Sequence, residues 1–313
     1  MRRTRSEPAR QRGFTLIEMV VSITLIGLLA MVAAPLLRLP LVAWMDASRR
    51  AQLTDAIDTA NAKLADDLRR ALPNSVRIRS VGNRVLLEML EVRASGRHRN
   101  GPSGAAQACA PAVCGVASNT DSLETACSET CFTSLGPMAG DPLDPPVPGS
   151  DWVVVNPLGP GVPSGDPYFG GNVQVANGIK TLLTNIAAAA DGNRVRIGAH
   201  TFPAVAASHR FYVVSTPVTW DCDPATQRLT RRWGYPVSAV QPTVFNAGSS
   251  ALLATNVAAP RVGSPACFSY TAAGSAGRGG VVQVVLRLSV ATADTRATEA
   301  VELVASYAVS EGP

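Results

Sequence analysis

Six cysteines are the residues of this 313-residue chain whose spacing most readily indicates chemistry. Four of them form a C-x4-C pair and a C-x3-C pair with twelve residues between: Cys109, Cys114, Cys127 and Cys131. Four thiolates at such spacings could bind zinc tetrahedrally, or could form two disulfides in an oxidising compartment. The remaining two, Cys222 and Cys267, lie in separate strand-like stretches, and we expect them to pair with each other.

Catalytic chemistry has little support in the sequence. The chain has only three histidines, and they are scattered: His98, His200 and His209. His98 lies in a basic stretch, GRHRN, where we expect it to be solvated. No G-x-S-x-G, P-loop, H-E-x-x-H or dinucleotide-binding pattern occurs. We therefore expect neither enzymatic activity nor a cofactor.

Three acids could in principle bind calcium: Asp141, Asp144 and Asp166. A proline follows each of them, and we expect these acids to shape loops instead. The sequence thus predicts no metal site.

The positive charge of the chain is concentrated at its amino terminus. The net charge is +5, but residues 1–13 contain five arginines and one glutamate, so the remainder carries a net charge of +1. Arginines before an apolar run keep that end cytoplasmic, so the chain beyond the run is exported. The charge therefore gives no reason to expect a nucleic-acid partner.

Export favours disulfides over zinc for the four clustered cysteines, because disulfides persist outside the cytoplasm. Four cysteines allow three pairings, and the sequence does not choose among them. A nested arrangement, Cys109 with Cys131 and Cys114 with Cys127, is our preferred one.

A long apolar run comes after the basic start. The 24 residues from Phe14 to Leu37 contain one charged side chain, Glu18. As a helix they would extend about 36 Å, enough to cross a hydrocarbon core of about 30 Å. A carboxylate at the centre of such a helix costs roughly 2.5–3.5 kcal/mol, so we expect it to be paired and functional. The alternative is a carboxylate that reaches the interface and stays hydrated.

The next segment predicts an amphipathic helix. Apolar residues recur along it at spacings of three or four: Leu53, Ile57, Ala60, Leu64, Leu68 and Leu72. Such a stripe is typical of packing on a protein core, and Pro73 ends the helix. We expect one long helical spine, with a transmembrane half over residues 14–40 and an amphipathic half over residues 41–73. Pro35 and Pro40 predict a kink or loosened turn within it.

After Ser75 the pattern changes to short β-type runs. SVRIRS and RVLLEMLEV flank VGN as in a hairpin, and WVVV, RFYVVS and VVQVVLRLSV come later. One further helix is predicted at KTLLTNIAAAA, residues 180–190. The predicted fold class is therefore α+β, in which the helical spine carries a β-rich, mostly antiparallel head over residues 74–313.

The junction between the basic start and the apolar run resembles a known processing signal. Gly13 is followed at once by FTLIE, and no small-residue cleavage site comes after Leu37. This arrangement resembles the type III signal of type IV pilins and type II secretion pseudopilins. In that family a prepilin peptidase cuts after the glycine and methylates the new amino terminus. The resemblance implies a leader peptide of residues 1–13 and a mature chain that begins at Phe14.

The same resemblance implies a role for Glu18. Cleavage after Gly13 would create a positive amine on Phe14, and the family implies that Glu18 pairs with that amine of a neighbouring subunit during filament growth. Gly27 and Pro35 are similar to the family's helix-loosening positions. The implied partners are other pilin subunits, prepilin peptidase and the inner-membrane pilus assembly machinery. The implied location is a single pass of the inner membrane with the head in the periplasm, and then the pilus or cell surface.

Later stretches resemble one subfamily, the minor pilin O of mannose-sensitive haemagglutinin pili. They are DTANAKLADDLRRALPNSVRI, RFYVVSTPVTWDCDP, LTRRWGY and VELVASYAVSEGP, and residues 109–148 depart from it as an insertion would. The resemblance implies a minor pilin that acts in pilus assembly or at the filament tip, since the head is large for a bulk filament repeat. The alternatives are a type II secretion pseudopilin and, from another class, a membrane-tethered adhesin or binding module.

Overall fold

The computed structural model describes residues 14–101, 122–125, 127–189, 192–261, 267–272, 280–291 and 298–309. The leader, with Gly13, and two of the clustered cysteines, Cys109 and Cys114, lie outside the described residues. The chain divides into two compact units. The first comprises Met1–Gln52 with Ala291–Thr298, and the second comprises Leu53–Val290 with Glu299–Pro313.

The amino-terminal helix, α1, spans Leu16–Arg69 and is 54 residues long. The helix continues without interruption through Gly27 and Pro35, and the kink expected there stays a prediction. Within it, Leu16–Ala33 is long and apolar enough to cross a membrane, and none of that window is buried by protein. An apolar surface of this length left uncovered is what a bilayer accommodates.

The last third of α1 carries the predicted apolar stripe, and all of its members are buried: Leu53, Ile57, Ala60, Leu64, Leu68 and, just beyond the helix, Leu72. Backbone hydrogen bonds then lead the chain from α1 towards the sheet. Leu72 donates to the carbonyl of Leu90, and Val92 donates to that of Arg70, at 2.8 Å each. Asn74, with a positive φ of 58°, lies in the turn that leads to β1.

Ten strands of the described residues form one large antiparallel sheet. Their bounds are β1 Arg77–Val81, β2 Arg84–Arg97, β3 Glu129–Thr133, β4 Ala139–Gly140, β5 Trp152–Val155, β6 Lys180–Ala189, β7 Gly192–His200, β8 Arg210–Asp223, β9 Arg228–Trp233 and β10 Ser249–Thr255. The main order is β1-β2-β8-β5-β6-β7-β3, with β9 also on β8, β10 on β9 and β4 on β2. The predicted combination of an amino-terminal helix and a large antiparallel β head is confirmed.

Strand β8 organises this sheet. On one side it pairs with β2 from Val85↔Cys222 to Arg97↔Arg210. On the other side its first half pairs with β5 and its second half with β9. Pro217, which cannot donate to the ladder, lies next to a register shift in the β2 pairing, as proline in a sheet usually does.

A second, smaller sheet contains β11 Phe268–Thr271, β12 Gly280–Ala291 and β13 Thr298–Val309, in that order. One hydrophobic cluster joins the end of α1 to both sheets, with Leu64 of α1, Trp220 of β8, Phe268 of β11 and Leu286 of β12 among its members. The carboxyl-terminal part of α1 is therefore a layer of the head's core.

The predicted helix over residues 180–190 is wrong. Residues Lys180–Ala189 form β6, which pairs with β5 on one side and β7 on the other. The stretch is alanine-rich and lacks glycine and proline, so a short apolar run of this kind is ambiguous by pattern alone. Pairing on both sides decides for the strand, because sheet context overrides weak local propensity.

Candidate processing and assembly site

The helix α1 begins with a capping box made by Thr15 and Glu18. The Thr15 hydroxyl accepts from the backbone N–H of Glu18 at 3.4 Å, and the Glu18 carboxylate accepts from the backbone N–H of Thr15 at 3.5 Å. The Thr15 hydroxyl also lies 3.4 Å from that carboxylate. These contacts are at the long end of the hydrogen-bond range, but they satisfy donors that a helix start leaves open.

The capping box places the Glu18 carboxylate at the amino end of the helix, one turn from Phe14. Negative charge is favourable there because the helix dipole is positive at this end. Sequence reasoning missed this role, although Thr-x-x-Glu before an apolar run is its usual signature. Glu18 thus lies about one turn from Phe14, whose nitrogen becomes an amine if the chain is cut after Gly13.

Beyond the first turn, two hydroxyl groups of the apolar run bond to carbonyls of their own helix. Ser22 donates to the carbonyl of Glu18 at 2.7 Å, and Thr24 donates to those of Val20 and Val21 at 3.0 and 2.9 Å. Hydroxyls bonded back to their own helix need no partner from water or lipid. The surface offered to a membrane is therefore apolar except at Glu18.

Comparison with known families bears on this amino-terminal segment alone. Residues 8–34 match the family described as the prokaryotic N-terminal methylation motif. The segment is a type IV pilin-like signal. The match includes Gly13, Phe14, Glu18 and Gly27. No curated protein and no solved structure matches the chain.

The type IV pilin-like motif indicates a pilin-like or pseudopilin protein. It implies processing by a prepilin peptidase and a place in pilus assembly. The apolar helix that begins inside the motif is consistent with membrane anchoring and with a periplasmic or surface head.

The last turns of α1 are fixed to the large sheet by a buried ion pair. The Asp67 carboxylate, near the end of α1, accepts from Arg231 of β9 at 2.6 and 3.0 Å. It also accepts from the indole N–H of Trp220 at 2.9 Å, and Lys63 lies 3.1 Å away. Asp67 and Arg231 are buried, so each charge depends on the other. The contact joins α1 to two central strands of the large sheet.

A second buried ion pair lies between β1 and β2. Glu88 accepts from Arg77 Nε at 2.9 Å and from the Tyr235 hydroxyl at 3.2 Å. Arg77 also stacks on the Tyr168 ring, 3.6 Å from its centroid. Burial raises the pKa of the Glu88 carboxyl even though Arg77 acts to lower it. This cluster fixes the loops after β5 and β9 to the sheet.

The cysteines are oxidised wherever the structure describes them. Cys222 of β8 forms a disulfide with Cys267, which directly precedes β11, and so links the two sheets. Cys127 and Cys131 are each disulfide-bonded, which supports disulfides over a zinc site for the cluster. Their pairing stays a prediction, because Cys109 and Cys114 lie outside the described residues.

The expectation that His98 is solvated is wrong. His98 is fully buried, and its ring lies 5.2 Å from the ring of His209, centroid to centroid, in an edge-to-face arrangement. The basic stretch around it is not a loop, because β2 runs to Arg97 and the His98 N–H donates to the His209 carbonyl at 2.8 Å. Burial lowers the pKa of His98. His200 lies apart and contacts the Gly178 carbonyl at 2.7 Å.

The three acids considered for calcium make contacts that shape loops. Asp141 accepts from the Leu143 N–H at 2.9 Å, and Asp144 pairs with Arg93 at 3.2 Å. Asp166 accepts from two backbone N–H groups at 2.8 Å. Within the described residues, no three His, Cys, Asp or Glu side chains are grouped to hold a metal ion.

Proposed function

We propose that the chain is a minor, low-copy type IV pilin that acts in pilus assembly or at the filament tip. It is cleaved after Gly13 and N-methylated on Phe14. It is held in the inner membrane by α1 with its head in the periplasm, and enters the filament through that helix. Its partners are prepilin peptidase, the inner-membrane assembly machinery and other pilin subunits. It needs no enzymatic activity or cofactor for this role.

The observation that carries the proposal is the methylation motif at the start of an apolar, uncovered helix. The last turns of α1, which pack in the core of a large β head, support an anchored subunit. The head of residues 74–313 is large for a subunit repeated along a whole filament, which favours a low-copy position.

The same motif fits a type II secretion pseudopilin equally well. The two functions differ in where the mature chain is found and in what its loss affects. A minor pilin co-purifies with sheared surface pili, and deletion of its gene lowers piliation. Deletion of a pseudopilin instead retains secreted enzymes in the periplasm.

Intact-mass analysis of the protein purified from membranes tests the processing step. The expected mass is that of a chain beginning at Phe14 with one added methyl group. A Gly13→Val variant should keep its leader and serves as the matched control. An intact leader in the unchanged protein, or cleavage beyond Leu37, would contradict the proposal.

A further inference from the structure

Two arginines of β7 extend from the outer face of the large sheet. Arg194 and Arg196 alternate along the strand with Val195 and Ile197, which are buried in one hydrophobic cluster. Because successive side chains of a strand point to opposite faces, both arginines lie on the face away from that cluster, with Cα atoms roughly 7 Å apart. Arg196 is exposed and Arg194 is half-buried.

A third arginine lies near them because the chain after β3 pairs with the end of β2. Ser134 directly follows β3 and pairs with His98, and the Leu135 N–H donates to the Arg97 carbonyl at 2.7 Å. β3 also pairs with β7, so it lies between β7 and the end of β2. At about 5 Å per strand spacing and about 3.4 Å per residue, the Cα atoms of Arg97 and Arg194 are roughly 12 Å apart. Long arginine side chains can reach a shared ligand over this distance.

Arg97 points to the same face as the two arginines of β7. The His98 ring lies edge-to-face with Phe132, with 6.4 Å between centroids, and Phe132 belongs to the hydrophobic cluster beneath β7. As the neighbour of His98, Arg97 therefore extends from the opposite, outer face, where it is exposed. We call Arg97, Arg194 and Arg196 the arginine face.

The charge of the arginine face has no partner among the described residues. The side chains of Arg97, Arg194 and Arg196 make no ion pair or hydrogen bond with them. The strands β6 and β7 contain no acid, and the one acid of β3, Glu129, is buried. Five other arginines of the head do pair with carboxylates: Arg77, Arg84, Arg93, Arg231 and Arg232. The arginine face therefore differs from them in offering its charge to a ligand.

The strands that carry the arginine face are fixed to one another. The Ser134 N–H donates to the Asn193 carbonyl at 2.8 Å, and the Asn193 N–H donates to the Ser134 hydroxyl oxygen at 2.8 Å. The side-chain carbonyl of Asn193 also accepts from the Met138 N–H at 3.0 Å. These bonds hold the start of β7 against the segment that reaches β2. The spacing of the three arginines is therefore preformed, which lowers the cost of binding.

Phosphate groups suit this face better than carboxylates. Arginine binds both anions through the paired N–H donors of its planar guanidinium. A carboxylate offers two oxygens and one charge, whereas a terminal phosphate offers three oxygens and about two charges. Guanidiniums that approach from different strands can therefore share one phosphate or two linked ones, and a dianion offsets more of their charge.

A nucleic-acid strand suits the face less well. Each of its phosphodiesters carries one charge, and single strands are bound largely by stacking of their bases on aromatic side chains. The exposed residues of the neighbouring β6 are Thr184, Asn185, Ala187 and Ala188, and none of them is aromatic. The face therefore matches terminal phosphate groups.

We propose that the arginine face binds dianionic phosphate groups, as in a diphosphate or a phosphorylated lipid headgroup. The phosphate oxygens accept from the guanidinium N–H groups of Arg97, Arg194 and Arg196. A soluble diphosphate and a headgroup share this chemistry, and experiment separates the two sources. The inference rests on the head alone and does not depend on the pilin role.

Isothermal titration calorimetry of the full chain with pyrophosphate tests the proposal. The chain is held in an uncharged polyoxyethylene detergent at neutral pH and low salt. Citrate carries a similar charge on carboxylates, and dimethyl phosphate carries the single charge of a phosphodiester. We expect pyrophosphate to bind most tightly of the three. Its binding should weaken as salt is added, because charges on an exposed face are screened.

Phosphatidate added to the detergent micelles distinguishes the two sources of phosphate. Phosphatidylglycerol at equal micellar charge is the comparison, because its headgroup is a phosphodiester. If the ligand is a lipid headgroup, phosphatidate should lower the apparent affinity for pyrophosphate more than phosphatidylglycerol does. Equal effects of the two lipids assign the face to a soluble phosphate ligand. Both results retain the recognition of dianionic phosphate.

Two exposed arginines on different strands localise the binding. Arg97→Gln and Arg196→Gln each remove one charge and keep a polar side chain, so the fold is retained. Each should weaken pyrophosphate binding by about three- to tenfold. Arg228→Gln is the matched control, because Arg228 of β9 is also exposed, makes no ion pair with the described residues and lies outside the arginine face. It should leave binding unchanged.

Absence of pyrophosphate binding overturns the proposal. Binding of citrate or dimethyl phosphate as tight as that of pyrophosphate also overturns it, since the face would then not select dianionic phosphate. Unchanged affinity in both Arg97→Gln and Arg196→Gln, or an equal loss in Arg228→Gln, would place the binding elsewhere and overturn it too.

Discussion

Glu18 has two kinds of partner, and charge distinguishes them. Within one subunit it completes a capping box with Thr15, an interaction that an uncharged amide can also make. In a filament, the proposed partner is the methylated amine of Phe14 on a neighbouring subunit, which requires a negative charge. The position of the carboxylate at the amino end of α1 suits both partners.

Glu18→Gln separates the two roles, because glutamine retains the cap and loses the charge. We expect normal membrane insertion and a clear loss of the subunit from sheared pili, measured by immunoblot of the membrane and pilus fractions. Thr15→Ala is the matched control: it removes the cap at a cost of about 1 kcal/mol in helix stability and keeps the charge. Incorporation of Glu18→Gln at the unchanged level would remove charge pairing as the reason for an acid at this position.

At the scale of elements, the contact between α1 and the large sheet depends on Asp67. The carboxylate bonds to Arg231 and Trp220 in the core, whereas its neighbour Asp66 makes surface ion pairs with Lys63 and Arg69. Two adjacent aspartates of one helix thus lie in different environments. A buried charge that loses its partner is far more costly than an exposed one.

Asp67→Asn should therefore destabilise the head by about 3–5 kcal/mol, since Arg231 would stay buried and unpaired. Urea unfolding of the full chain in detergent, followed by tryptophan fluorescence, to which the buried Trp220 contributes, measures this loss of stability. Asp66→Asn should cost less than about 1 kcal/mol. Removing both charges, with Asp67→Leu and Arg231→Met, should recover part of the loss. Equal effects of the two single aspartate variants would contradict this account.

Elements with strong periodicity could be predicted from the sequence, and short ambiguous ones could not. The stripe from Leu53 to Leu68 predicted the buried face of α1 correctly, because a period near 3.6 over several turns has few alternatives. The run at residues 180–190 did not reveal a strand, since the strands β5 and β7 that pair with it are not visible in its own residues. His98 was misjudged for the same reason: its charged sequence neighbours say nothing about His209, which comes just before β8 and packs against the His98 ring.

At the scale of the whole molecule, strand order was beyond sequence reasoning. β8 pairs with β2 along almost its full length, and on its other side with β5 and β9. These pairings depend on long-range packing, which local sequence does not show. The candidate site was predictable to the extent that it is local: Gly13 to Glu18 are contiguous.

The same long-range packing buries acids throughout the head. Burial raises the pKa of four carboxyl groups, those of Glu88, Glu91, Glu129 and Asp151. Burial lowers the pKa of His98, which acts in the opposite direction. In weakly acidic solution the folded head therefore binds more protons at these five groups than the unfolded chain does. The effect is largest for Glu129, whose pKa rises to about 7 through burial, with the Glu124 charge adding to it.

Glu129→Gln should make the head's stability less dependent on pH. A carboxyl whose folded pKa exceeds its unfolded value stabilises the fold below the unfolded value, and this contribution is lost as pH rises through the folded one. The variant mimics the protonated form. Its free energy of unfolding should therefore exceed that of the unchanged protein by on the order of 2 kcal/mol at about pH 8, and equal it at about pH 4. Urea unfolding of the full chain in detergent across this range gives the difference, with the more exposed Glu302→Gln as control. A difference that stays constant with pH, or grows towards acid, would show that Glu129 is not the group that titrates.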